Sequence, residues 1–532
     1  MPALIIHGHF YQPPRENPWT RIVEEQPGAA PFHDWSERVH FECYRPNAFV
    51  RIGQTETGEE RFINNYELIS FNFGPTLLSW LEQHHAYTYQ RIIEADRESA
   101  LKHNGHGNAI AQAYGHAILP LCNERDLRTQ IRWGVADFQY RFSRKPEAIW
   151  LPETACNNRV MDALIDEGLR FVILAPHQAS RFRSLSHSDK VSEAEGTAAD
   201  CERDVGAPWL DVNENTIDTS IPYLYRHRGN REKSIAVFFY EGSTSRAIAF
   251  EKLLKSSHEL VDAFARAVGN RQMINIATDG ETYGHHFKFG DLCLAHVMEE
   301  EAPARGFTIT NYGEYLDQHE PSHEVEINNG PRLTKLGSSN DIGEGTSWSC
   351  IHGVGRWIRD CGCYTGGEPG WDQRWREPLR QALDYLRDEN VSHFEATCVS
   401  LFIDPWQARD DSIALILDQN ASREEFLFDR AERWLSGDEQ TRALTYLDLQ
   451  RMLLLTYTSC GWFFNDISGV ETIQILKYAA RAIDLMEQLN LPSARDGFLE
   501  ILAEAKSNRP EMGTGADVYR QFVEWSNSRR GR

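Results

Sequence analysis

The chain has 532 residues, and 78 acidic against 55 basic side chains give it a formal net charge of −23. That excess argues against nucleic acid or an anionic membrane as a partner, because both require a positive surface; a neutral sugar is indifferent to it. Hydrophobic residues at 41% and charged residues at 25% are ordinary for a globular chain with enough core for two or three domains.

No apolar stretch reaches the ~20 residues needed to span a bilayer. The start, Met1-Pro2-Ala3-Leu4-Ile5-Ile6-His7, lacks the basic region, apolar run and cleavage site of a signal peptide and enters a strand directly. Ten cysteines spread through the chain without a dense framework suit a reducing compartment, so a cytoplasmic location is expected.

Over roughly the first 310 residues, short apolar strands alternate with amphipathic helices, the pattern of a parallel α/β layer or barrel. Strands are predicted at 2–8, 108–112, 147–152, 170–174, 234–240 and 273–278, and helices at 74–98, 124–140, 157–168 and 249–268. Asn157 is placed to cap its helix and Gly168 to close it before the strand at 170–174, which makes one plain βαβ unit. Segment 181–231 is polar and reads as a long excursion from the barrel carrying a small hairpin. Residues 340–376 are rich in Gly and Trp with little periodicity. Beyond them, helix-spaced apolar residues predict helices at 376–388, 422–436, 438–459, 468–489, 494–506 and 515–528. The organisation read from this is a catalytic unit over 1–320 and a Gly/Trp-rich segment followed by helices over 321–532.

Polar residues concentrate at the ends of the predicted strands. In His7-Gly8-His9-Phe10-Tyr11-Gln12-Pro13-Pro14, strand alternation puts His7 and His9 on one face, and the prolines stop the strand at once. Such a pair either ligates a metal or hydrogen-bonds a polar ligand, and the crowding of Tyr11, Gln12, Arg15 and Asn17 favours a ligand site. A second cluster, from Asn104 to Pro120, brings Gln112 and His116 as sugar-hydroxyl contacts. Two further runs end in acids: Ala148-Ile149-Trp150-Leu151-Pro152-Glu153 and Met273-Ile274-Asn275-Ile276-Ala277-Thr278-Asp279. Each is a buried-strand run broken immediately by Pro or Gly, so the acid sits where the strand leaves the core. Parallel barrels carry catalytic groups at that end, and two carboxylates facing one pocket are the minimum equipment for glycoside hydrolysis. Glu281, Tyr283, His285 and His286 surround Asp279 with groups able to tune its pKa. Glu241 follows another apolar strand and either lines the same pocket or pairs with Arg246.

Together these segments resemble family 57 of the glycoside hydrolases, over the first ~360 residues. The resemblance rests on His7-Gly8-His9 followed by Gln12-Pro13, on His116 before Ala117-Ile118-Leu119-Pro120, and on Trp150-Leu151-Pro152-Glu153. It rests also on Asp279-Gly280-Glu281-Thr282-Tyr283-Gly284-His285, and on Ser347-Trp348 with Trp357 downstream. The first motif has two extra residues before Gln12, and Tyr283 stands where many relatives have Phe. Thr346 to Trp375 resembles a branch of the family that carries a helical domain of unknown function.

The resemblance implies an incomplete (β/α)7 TIM-like barrel followed by an α-helical domain, and a retaining reaction on α-glucan or a related α-linked oligosaccharide. Glu153 inherits the nucleophile and Asp279 the general acid/base. The implied substrate-binding set is His7, His9, Gln12, His116, Trp150, Glu281, His285, Trp348 and Trp357, with hydrolysis and transfer both open and no cofactor. Among the aromatic residues, Trp348 and Trp357 are the preferred sugar platforms, ahead of Trp150, Trp371, Tyr11 and Tyr283.

Two rival readings use the same residues. A metal-dependent polysaccharide deacetylase would recruit His7, His9, His116 and Asp279 as ligands but leaves Glu153 without a role. A non-catalytic carbohydrate-binding protein would need neither acid. Cys350, His352, Cys361 and Cys363 are a conceivable zinc site but lack a standard ligand spacing, and structural thiols in a packed, Gly-rich turn are the expected reading.

Overall fold

The computed structural model describes residues 1–54, 60–185, 207–213, 216–331 and 343–524. Strand β1, Ala3–Phe10, is buried along its whole length and is the centre of the first half. Six further strands take part in the same parallel series: β2 (Ser70–Phe73), β3 (Ala111–Gln112), β4 (Ile149–Trp150), β5 (Phe171–Leu174), β6 (Ser234–Phe239) and β7 (Met273–Asp279). β1 pairs with β7 from Ala3↔Met273 to His9↔Asp279, and with β2 from His7↔Ser70 to Phe10↔Phe73. A Phe71↔Ala109 bridge leads to β3, which pairs with β4; an Ala148↔Phe171 bridge leads to β5, which pairs with β6. The two ends of this series meet where the Glu241 N–H donates to the carbonyl of Asn275 (2.7 Å) and the Asn275 amide donates to the carbonyl of Phe239.

Period-2 alternation sorts the side chains of these strands into two cores. Leu4, Ile6, Ile149, Val172, Leu174, Val237, Phe239, Ile274 and Ile276 join the core that packs against the helices. Ala3, Ile5, Ala148, Trp150, Phe171, Ile173, Ala236, Phe238, Met273 and Ala277 form a second cluster on the opposite faces. His7, His9, Asn275 and Asp279 share the parity of this inner set, so the enclosed space is apolar near the strand starts and polar near their ends.

Several boundaries differ from those predicted. The strand β2 and the hairpin Val50–Gln54/Glu60–Ile63 were not anticipated. The helix predicted over 74–98 is two helices, α1 (Pro75–His84) and α2 (Ala86–Lys102), because His85 leaves helical geometry and stacks its ring on His40 at 3.6 Å. The helix predicted over 249–268 starts late, as α5 below, since Lys252 takes a left-handed conformation and Ser256 caps the new start. α3 (Glu124–Phe142), α4 (Asn158–Asp166) and α5 (Ser257–Val268) form as expected otherwise, with the Asn157 side chain accepting from the Val160 N–H. The excursion at 181–231 contributes more than a hairpin: Ala179–Ser184, Leu210–Asp211 and Tyr223–Arg226 join His323–Ile327 to extend the sheet outward from β6. Residues 186–206 and 214–215 of that excursion lie outside the described residues.

From Arg376 onward the named elements are helices, chiefly α6 (Arg376–Cys398), α7 (Gly437–Leu455) and α8 (Val470–Gln488). Their apolar faces build a separate core around Leu379, Leu383, Leu449, Ile475, Ile483 and Phe498, which also takes in Ala117, Ile118 and Ala155 from the first half. α7 stops short of the predicted 459 because the Thr456 and Thr458 hydroxyls donate back to the carbonyls of Leu453 and Leu455. The last predicted helix is described as far as Glu524. No described helix is long and apolar enough to cross a membrane.

The seating of α3 on β3 depends on Gly134, where a Cβ would fall 2.0 Å from the carbonyl oxygen of Gln112. Gly134→Ala should lower stability by about 1–3 kcal/mol through overpacking against backbone that cannot give way. The urea midpoint followed by circular dichroism reads this directly, and an unchanged midpoint would contradict the close approach.

Candidate active site

Glu153 follows β4 through Leu151 and Pro152, and its backbone sits in the left-handed region (φ 58°, ψ 23°) with Thr154 beside it at φ 48°. For non-glycine residues this costs on the order of 1–3 kcal/mol each and persists only where the surroundings over-determine it. They do so here. The Thr154 N–H donates to Leu151 O (2.8 Å), the Gln178 amide donates to Thr154 O (2.8 Å), and the Trp348 N–H donates to Thr154 Oγ1 (3.0 Å). The turn aims the Glu153 carboxylate at Trp348 and Ser349: Oε2 accepts from the Trp348 indole N–H at 3.1 Å and the Ser349 hydroxyl at 2.6 Å. Burial raises the Glu153 carboxyl above the ordinary glutamate range, while Ser349, Trp348 and the charge of Arg356 pull it down.

Asp279 ends β7 opposite His9 of β1. It is the one exposed residue of that strand. The surrounding protein, and then the charge of Glu153, push its carboxyl up to about 7. Glu281, two residues on, accepts from the Tyr44 hydroxyl (2.6 Å) and the Tyr11 N–H (2.9 Å); burial, with Asp279 adding to it, raises this carboxyl to about 8. Tyr240, at the end of β6, lies within the field of Asp279 and packs edge-on to Trp348 with ring centres 6.3 Å apart.

Beneath the carboxylates runs a buried polar column. His7 accepts from Ser70 Oγ and contacts Asn72 Oδ1, both at 3.0 Å; Asn72 Nδ2 reaches His9 Nδ1 at 2.9 Å and Gln112 Oε1 at 2.8 Å. His9 Nε2 meets His116 Nε2 at 3.2 Å, and His116 Nδ1 meets Ser459 Oγ at 2.6 Å. Trp150 stacks on both His7 (4.7 Å) and His9 (5.1 Å), and Tyr11 stacks on His116 at 3.7 Å. Burial holds His7 and His9 down to about 3 and His116 well below its usual value, so all three are neutral. Both ring nitrogens of each contact a neighbouring side chain, and among the described residues His7, His9, His116 and Asp279 do not form a cluster whose ligand atoms converge within 4.8 Å.

The predicted site residues therefore fall into groups. Glu153 bonds Trp348, and Asp279 lies within the field of Glu153 and Glu281; His7, His9, His116 and Trp150 form the buried column. Trp150 is 1% exposed and Trp357 fully buried, with the Trp357 indole N–H donating to the carbonyl of Ser459, so the expectation that they offer stacking faces is corrected. Gln12 accepts from Arg15 (2.9 Å), and His285 contacts Glu42 rather than either carboxylate. Glu241 caps the helix Gly242–Phe250, while Arg246 pairs with Glu251, so neither half of the Glu241–Arg246 pair forms. Sequence reasoning missed Asn72, Ser349, Ser459, Tyr44 and Tyr240. The alternation Ser70-Phe71-Asn72-Phe73 before Gly74-Pro75 was a legible strand signal, whereas Ser459 and Tyr44 carried none.

A family-wide sequence profile described as Glycosyl hydrolase family 57 matches residues 3–328. The chain belongs to this family. A second profile, a domain of unknown function (DUF3536), matches residues 371–530. Among solved structures, an exo-type maltose-forming amylase from Pyrococcus sp. ST04 aligns with a TM-score of 0.63 and 16% identity, covering 94% of this chain and 82% of that one. A 4-alpha-glucanotransferase from Thermococcus litoralis aligns with a TM-score of 0.50 and 13% identity over 93% and 62%. A 1,4-alpha-glucan branching enzyme of Thermococcus kodakarensis is 37% identical over 73 residues, a match spanning 13% of this family 57 chain and 11% of that enzyme.

A carboxyl near 7 in the folded state keeps its proton where the unfolded chain, at ~3.9, has lost it. The folded form then binds more protons, and stability falls as pH rises from ~4 to ~7. Asp279→Asn should accordingly gain stability relative to wild type on going from pH 5 to pH 8, measured as the difference in urea midpoint at each pH. An identical difference at both would mean that Asp279 ionises normally.

Proposed function

We propose that this chain is a retaining glycosidase or transglycosidase acting on α-glucan or a related α-linked oligosaccharide. Glu153 is the nucleophile and Asp279 the general acid/base. The observation that carries this reading is the opposite provision for the two acids. Glu153 accepts two hydrogen bonds on one oxygen and lies within the field of Arg356, whereas every influence resolved on Asp279 favours its proton. When the pair holds a single charge, that charge belongs on Glu153, and Asp279 is left as an acid near neutral pH.

In the first step Glu153 attacks the anomeric carbon while Asp279 protonates the departing glycosidic oxygen, leaving a covalent glycosyl-enzyme. Asp279, now a carboxylate, deprotonates either water or a sugar hydroxyl, which returns the product with its original anomeric configuration. A retaining geometry requires the two carboxyls ~5–5.5 Å apart. Trp348 is placed to orient Glu153 through its N–H and to offer its remaining ring surface to a sugar.

The fold reading belongs to the same proposal: an incomplete (β/α)7 barrel over 1–320 followed by a helical domain over 321–532. The circular order of β1 to β7, the inner apolar cluster and the separate helical core support it. A cytoplasmic location goes with it, since ten cysteines spread through the chain without a dense framework suit a reducing compartment.

Wild type incubated with maltoheptaose should give redistributed or shortened products in the α configuration. Glu153→Ala and Asp279→Ala should each lose turnover, with loss of the general acid alone worth about 10²–10⁴-fold. Azide separates the roles: Asp279→Ala should yield the α-glycosyl azide and Glu153→Ala the β. A wild type inert toward maltoheptaose removes α-1,4-glucan as substrate, and turnover surviving in both variants removes the assignment of the acids.

The pH dependence carries its own sign. kcat/KM should fall as pH rises through about 7, where Asp279 loses its proton. Ser349→Ala removes a hydrogen bond to the Glu153 carboxylate worth about 1.5–3 kcal/mol. It should therefore shift the acidic limb of the profile to higher pH. An unmoved limb would show that Glu153 does not set it.

A further inference from the structure

Outside the cleft, one cluster of side chains has a geometry that packing alone does not explain. In the turn after Ser349, Cys350 Sγ lies 3.8 Å from Cys361 Sγ and 3.7 Å from Cys363 Sγ, and Cys363 Sγ lies 3.4 Å from His352 Nδ1. The ligand atoms of all four residues fall within 4.8 Å of one another. A disulfide needs ~2.05 Å between sulfurs, so no pair is bonded. A tetrahedral zinc with Zn–S ~2.3 Å and Zn–N ~2.0–2.1 Å requires neighbouring sulfurs about 3.8 Å apart and sulfur to nitrogen about 3.6 Å. The three short separations match such edges, and the other three stay within 4.8 Å.

We propose that Cys350, His352, Cys361 and Cys363 hold one zinc ion in a closed Cys3His site. This replaces the expectation of structural thiols, which rested on spacing: the Cys-x-His and Cys-x-Cys pairs are too short for a standard finger. Gly362, at φ 80°, is what lets Cys361 and Cys363 face one point across a single residue. The surroundings fit an anionic site, since three thiolates around Zn²⁺ carry a net charge of −1. Arg359 and Arg376 both lie within the field of these sulfurs, and backbone N–H groups of His352 and Arg356 are directed at Cys350. With four protein ligands the site has no open position and is structural rather than catalytic.

Its place in the chain states what it would secure. Cys350 adjoins the Trp348–Ser349 pair that holds Glu153, and the Ser347↔Cys350 bridge closes that turn. Arg356 donates to the carbonyl of Ser349 (3.0 Å) and Arg376 to that of Cys363 (3.0 Å), and both also donate to the carbonyl of Phe463. The ion would thus tie the nucleophile's hydrogen-bond donors to the helical half of the chain.

The test does not depend on glycosidase activity. The full chain purified under reducing conditions, without added metal, should carry one zinc by mass spectrometry. The zinc-depleted chain should take up Co²⁺ with the thiolate charge-transfer band and intense d–d absorption of a tetrahedral sulfur site. Chelation should lower Tm, with recovery by Zn²⁺ and not by Mg²⁺. The double variant Cys361→Ser/Cys363→Ser should lose the metal while Asp279→Ala keeps it. A reduced wild type that neither carries zinc nor binds Co²⁺ overturns the assignment. So does stoichiometric iron in place of zinc, or a double variant that binds undiminished. The wild-type measurements decide the matter even if the double variant fails to fold.

Discussion

Buried neutral histidines organise this protein. His7, His9 and His116 are buried together, and burial holds all three below the ordinary imidazole range. A neutral imidazole has one donor and one acceptor, so a chain of them has a direction. One arrangement satisfies both nitrogens of every histidine. Ser70 donates to His7 and His7 to Asn72; Asn72 donates to His9, His9 to His116, and His116 to Ser459. Removing any member strands a buried polar group, which costs about 1–3 kcal/mol. The column therefore specifies which strand lies beside which at the polar end of the inner space, where apolar packing has given out.

The same column joins the two halves of the chain. Ser459, just past the end of α7, accepts from His116 through its side chain, donates its N–H to the carbonyl of His116 (3.0 Å), and receives the Trp357 indole at its own carbonyl. Ala117, Ile118 and Ala155 belong to the helical core rather than to the strand cores. The residues flanking His116 and Glu153 are thus packed by helices contributed from beyond residue 370. The strained turn at Glu153 depends on this arrangement, since the Trp348 contacts that hold it come from the connecting segment.

Charge is set by the protein surroundings rather than by pairing with cations. Glu153, Asp279 and Glu281 gather with no arginine or lysine bonded to any of them among the described residues, so each is raised and only hydrogen bonds tell them apart. Glu281 is satisfied by Tyr44 and the Tyr11 backbone, Glu153 by Trp348 and Ser349, and Asp279 by neither. A site of this kind holds fewer charges than it has carboxyls. That is the condition under which one carboxyl is ionised while its neighbour keeps its proton.

By itself the sequence determined the parity of the strands and hence the chemistry at their ends. Strand alternation put His7 and His9 on one face, and the breaks at Pro152 and Gly280 marked where the acids emerge. These signals are local, and local patterns survive in any tertiary context that buries the strand. The resemblance to family 57 then assigned roles that spacing alone left open. What only the tertiary structure decided was pairing across distance. Asn72, Ser349 and Ser459 are ordinary polar residues until a fold brings each within hydrogen-bond reach of a histidine or a carboxylate tens to hundreds of positions away. Trp357 and Trp150 could not be told from sugar platforms, because burial of an aromatic ring is a property of its neighbours. Cys350, His352, Cys361 and Cys363 were visible as residues and invisible as a cluster, since their convergence depends on the backbone turn at Gly362 and not on their spacing.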